Sequence, residues 1–116
     1  MNYSSLRSSV FVTVAIASAS TVFAAPVKVD VEAAMKVFKE NECHKCHNPD
    51  KEKKGPSFKK IAAKYRGKPD AEQKLIKHMT TGPRIKLENG KEEDHKIIDT
   101  EDPIVLKNMA QWILSH

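Results

Sequence analysis

Four stretches of the chain repeat apolar residues at helical spacing, and the segments between them do not. Val31, Ala34, Met35 and Phe38 recur at i, i+3, i+4 and i+7, which predicts a helix capped by Asp30 and ending near Asn41. Phe58, Ile61, Ala62 and Tyr65 give the same pattern over 57–65, and Gly67 with Pro69 ends it. A third helix, about 70–80, places Leu75, Ile76 and Met79 on one face and stops at Gly82-Pro83. The last, about 103–114, has Asp102 as N-cap and Pro103 at its first helical position. Val105, Leu106, Met109, Trp112 and Ile113 form its apolar side. No segment alternates with period two, so no sheet is expected and the fold class reads as all-α. The two long connections, 48–56 and 83–99, are polar and charged. Such loops in a small domain are functional or are ordered by something bound.

The first two dozen residues follow a different logic. Arg7 gives a sparse positive start, 10–19 is uncharged and mostly apolar, and Val22-Phe23-Ala24 suits a cleavage site. We therefore expect residues 1–24 to be a signal peptide and 25–116 to be the mature domain. The apolar run falls short of the roughly 20 residues that a membrane span needs, so no stable insertion is expected after cleavage. Export leads to a periplasmic, oxidising compartment.

Composition narrows the function. At 116 residues the chain holds one small domain, with 40% hydrophobic but only 6% aromatic residues, so large core side chains are scarce. Its formal charge of +5 falls to +4 once Arg7 is lost with the signal. That mild excess, interleaved with acid, is not the dense basic stripe of a nucleic-acid binder. A domain of this size commonly needs a metal, a disulfide or a cofactor to hold it together.

Cys43-His44-Lys45-Cys46-His47 supplies the candidate chemistry, because it fits C-x-x-C-H. Two thiols three positions apart on a tight turn can each add to a vinyl group on one edge of a porphyrin, and the next histidine can then bond the iron. The competing readings fit less well. A redox dithiol needs a strand–helix setting that is missing here. A zinc site needs further ligands, for which only the remote His78 and His95 are candidates. A disulfide within C-x-x-C closes a strained loop.

The first helix, CHKCH, Gly55-Pro56, the helix FKKIAAKY, the turn at Thr81-Gly82 and the closing NMAQWILSH together resemble the small bacterial class I cytochromes c. The resemblance covers about 30–116. It implies a compact all-α wrap around one covalent haem c, with the first and last helices crossing. Cys43 and Cys46 would carry the thioethers, and His47 would be the proximal iron ligand. The Pro56 carbonyl would accept the other ring N–H of His47. The implied function is one-electron transfer, not enzymatic catalysis.

Relatives usually supply a methionine as sixth ligand, about 16 residues before the tryptophan of the last helix. No methionine stands in that loop here, and counting back from Trp112 reaches Lys96, beside His95. His95 is therefore the candidate distal ligand, giving a bis-histidine haem of lower potential than a His/Met one. Met79 and Met109 are rivals that also suit the core, and Met35 reads as core. His78 falls on the polar side of its helix, His44 should point outward, and His116 is the chain end. An open sixth position or Lys96 also stays possible, as in a gas-binding or redox haem protein, and so does a role as electron-accepting subunit of a larger dehydrogenase. Lys45, Lys51, Lys53, Lys54, Lys59 and Lys60 could steer an acidic redox partner, or could simply keep the surface soluble. Glu92, Glu93 and Asp94 form an acidic patch next to His95. Protein lacking the haem is expected to be largely unfolded.

Overall fold

The computed structural model describes residues 28–116; the expected signal peptide lies outside them. Helix α1 (Val31–Glu40) leads into a 3-10 turn (Cys43–Lys45), then α2 (Phe58–Tyr65) and α3 (Ala71–Thr81). A short ribbon, β1 (Arg84–Lys86) and β2 (Glu92–Asp94), precedes α4 (Pro103–Leu114). The four helices carry the fold, as the hydrophobic pattern predicts.

Three helix starts are capped by side chains. Asp30 accepts from the Ala33 N–H at 3.0 Å, Ser57 from Lys60 at 3.1 Å and Asp102 from Ile104 at 2.9 Å. Asp70 makes no such bond at the start of α3 and pairs instead with Lys74 at 2.9 Å. Gly82, at φ +58°, closes α3 in the left-handed conformation that glycine reaches without steric cost.

Helix α4 packs against each of the other three. Ala34 and Ala110 are fully buried, so the α1 and α4 backbones can approach closely. Phe38, Phe58 and Trp112 meet edge to face, with ring centroids 5.3 to 5.6 Å apart, and tie α1, α2 and α4 into one core. Leu75, Met79, Leu106, Met109 and Ile113 complete it.

Two expectations are corrected. Met35 is 41% exposed, not core: α1 presents Ala34, Val37 and Phe38 to the fold, which leaves Met35 and Val31 on its flank. A sheet, though small, does exist. Arg84 pairs with Asp94 and Lys86 with Glu92 across an antiparallel register. Three-residue strands are too short for alternation to show; the backbone ladder joins them, and Arg84 adds an exposed ion pair to Asp94 at 3.3 Å. The turn between them uses Gly90 at φ +82° within Asn89-Gly90, a hairpin dipeptide.

Candidate haem site

The attachment turn is built tightly. The Cys46 and His47 N–H groups both donate to the Cys43 carbonyl, at 3.1 and 2.9 Å, so two thiols and an imidazole leave one short coil. Cys43 and Cys46 are half-buried and not joined in a disulfide. Burial pushes the Cys43 thiol up from its usual pKa, which keeps it protonated.

His47 Nδ1 lies 2.7 Å from the Pro56 carbonyl. A carbonyl can only accept, so the ring proton sits on Nδ1 and the lone pair is left on Nε2. Gly55 makes this approach possible, because a Cβ there would stand 2.8 Å from His47 Cε1. Gly55→Ala should therefore force ring and loop apart. A loss of about 1–3 kcal/mol is expected in thermal or denaturant unfolding, typical of overpacking, and wild-type stability would show that the loop yields freely. Phe58 stacks with the imidazole, centroids 5.6 Å apart.

His95 comes back to the same place from the far loop. Its ring centroid lies 6.1 Å from that of His47. The segment is stitched to α3 by Ile98 N–H to the Met79 carbonyl and to the turn just past it by His95 N–H to the Pro83 carbonyl, both 2.9 Å. At Gly82 a Cβ would meet the His95 carbonyl at 2.8 Å. Burial, with His78 and His47 nearby, lowers the His95 pKa to about 4, so the ring is neutral at neutral pH. Its Nδ1 is buried and has no hydrogen-bond partner.

The remaining candidates occupy different settings. Met79 and Met109 are buried in the core, and Lys96 pairs with Glu42 at 2.8 Å. His44 is exposed. His78 differs from its expected polar setting: it is half-buried, with its ring edge-on to His95 at 4.4 Å. The 95–99 segment folds back along α3 and covers that flank, and burial lowers the His78 pKa. His116 is more than a chain end, since it packs on Phe58 and Trp112 and its Nδ1 lies 2.8 Å from the Trp112 carbonyl. Nothing in its spacing marked it out. Among the described residues no three His, Cys, Asp or Glu side chains converge to hold a metal ion by themselves. Nor, among them, is any helix long and apolar enough to cross a membrane.

These donors suit a haem: paired thiols beside an imidazole with a free lone pair, and a second neutral imidazole whose buried nitrogen lacks a partner. Comparison with known proteins points the same way. Residues 31–115 match the family described as cytochrome c. The chain is 31% identical over 81 residues to cytochrome c2 of Rhodocyclus tenuis, spanning 63% of this chain and 80% of that protein. It is 27% identical over 85 residues to cytochrome c-551 of Azotobacter vinelandii, spanning 73% and 99%. Among solved structures, the class 1 cytochrome MtoD from Sideroxydans lithotrophicus ES-1 matches at 55% identity and TM-score 0.73, over 76% of this chain and 97% of that one. Cytochrome c552 of Nitrosomonas europaea matches at 28% and 0.55, over 70% and 96%. By sequence and by fold the chain belongs to the cytochrome c family, as a small class I member with one covalently bound haem c that works in electron transfer.

Proposed function

We propose that the chain is a periplasmic one-electron carrier, exported by a signal peptide at 1–24 and folded over 25–116, with a bis-histidine haem. Cys43 and Cys46 carry the thioethers, His47 is the proximal ligand with Pro56 as its hydrogen-bond acceptor, and His95 is the distal ligand. The observation that carries this reading is the spacing of the two imidazoles. Two imidazoles bonded to one metal ion, with bonds of roughly 2 Å and about 1 Å from each bonding nitrogen to its ring centre, would stand up to about 6 Å apart between centroids. The centroids of His47 and His95 stand 6.1 Å apart.

Bound haem supplies a single-electron ferric–ferrous couple, and a second imidazole in place of a thioether lowers its potential. The polypeptide holds and insulates that couple. The Pro56 carbonyl fixes the proton of His47 on Nδ1, and Phe58 covers the ring and keeps water from that side. Burial keeps His95 neutral and able to donate its lone pair. Between 43 and 68, nine exposed Lys and Arg side chains stand against two acids, a surface suited to an acidic redox partner.

Absorption spectra of the haem-loaded protein in both redox states, with and without CO, test the proposal. Low-spin bands in both states, no iron–thioether band and no response to CO are expected. A CO-shifted ferrous spectrum would instead mean an open or displaceable site, and an iron–thioether band would return the distal role to a methionine.

A further inference from the structure

We propose that Asn41 and Glu42, the two residues before Cys43, form a clasp holding the 95–99 segment against the attachment turn, and that this clasp limits how fast an outside ligand reaches the iron. The inference rests on the reading of His95 as distal ligand and names the residues that keep it in place.

Asn41 caps α1 and reaches across. Its Nδ2 donates to the Val37 carbonyl at 3.0 Å, and its Oδ1 accepts from the Asp99 N–H at 2.7 Å. Glu42 uses both carboxylate oxygens, one toward Lys45 Nζ at 2.6 Å and the other toward Lys96 Nζ at 2.8 Å. Lys96 directly follows His95, and Asp99 ends the same segment. The distal strip is thus tied at two points to consecutive residues adjoining a haem-bearing thiol. Its backbone bonds to Pro83 and Met79 run only to the α3 side. Without the clasp, those bonds and the buried Ile98 would be the strip's remaining anchors, and the side facing the thiols would be untied.

The backbone of Glu42 points to a role for its side chain. At φ 58°, ψ 19° it is the one non-glycine residue with positive φ among those described. It occupies the position just past a helix end where glycine is usual. A residue with a Cβ is strained there, and such strain clusters where a side chain has work to do. Glycine would suit the backbone better but could not grip Lys96.

The test follows cyanide or imidazole binding to ferric holoprotein by stopped flow, beside thermal unfolding. Asn41→Ala should speed entry about fivefold, the worth of one hydrogen bond. Glu42→Gly should speed it about twofold to threefold, as for an exposed ion pair. Its thermal midpoint should hold or rise, because glycine relaxes the left-handed backbone. Lys96→Glu should speed entry at least as much as Glu42→Gly but without the gain in midpoint, and Lys96→Arg should behave like wild type. His95→Ala is the fast reference. Slow wild type and fast His95→Ala with unchanged Asn41→Ala and Glu42→Gly would overturn the clasp alone. Wild type already as fast as His95→Ala would remove the distal reading and the clasp with it. Faster entry that only tracks a lowered midpoint, Glu42→Gly included, would reduce the pair to ordinary stability and overturn the proposal.

Discussion

A chain with Cys43 and Cys46 both changed to serine, freed of any loosely held haem, is expected to lose most of its helical circular dichroism. The polypeptide core is thin. Phe58 and Met109 are the largest fully buried side chains, and four of the buried apolar residues are alanines. Bare imidazoles at the centre add to the difficulty. His95 carries a buried nitrogen with no partner, and such an unmet group costs roughly 1–3 kcal/mol. Haem c brings a large apolar surface that the chain cannot lose, since thioethers survive unfolding, and under the proposed ligation it would also ease the setting of His95. The comparison is far-UV dichroism and gel filtration of variant and holoprotein side by side. A compact, cooperatively unfolding variant would show that helix packing alone suffices.

Much of the fold was legible because the residues that build it act locally. Asp30, Ser57 and Asp102 mark helix starts through bonds to their own next turns, and CHKCH places three reactive groups within five residues. What escaped depends on segments far apart in the chain. The burial of His78 comes from a strip 17 residues downstream, and nothing on its own helix face signals that. Met35 fits a helical period but lies beside the face that α4 covers. The 84–94 ribbon pairs mostly exposed, charged residues across a turn, which a search for apolar alternation does not register, although Asn89-Gly90 was a visible hint. Glu42 had no sequence mark at all, because its importance lies in a backbone angle and a partner 54 residues away.

Replacing His95 by alanine should convert a low-spin haem to a high-spin one and let ferrous protein bind CO. His95 sits beside His78 at 4.4 Å, the one other imidazole against this face among the described residues and the natural substitute should His95 be lost. The single variant is therefore measured with the His78→Ala/His95→Ala pair. A high-spin single variant, restored to low spin by added imidazole, assigns the bond to His95. A low-spin single variant that turns high-spin only in the pair means that His78 takes over. Low-spin spectra in both would strip His95 of the role. The pH dependence has a definite sign. Burial lowers the His95 pKa from 6.5 to about 4 in the folded chain, so the unfolded chain binds more protons between those values. The stability contributed at this position is complete above pH 6.5 and falls as the pH drops toward 4. An iron bond acts in the same direction, because metal and proton compete for an imidazole lone pair. His95→Ala should flatten the decline that wild type shows across this window in acid-unfolding curves, and curves that fall in parallel would place the responsible proton elsewhere.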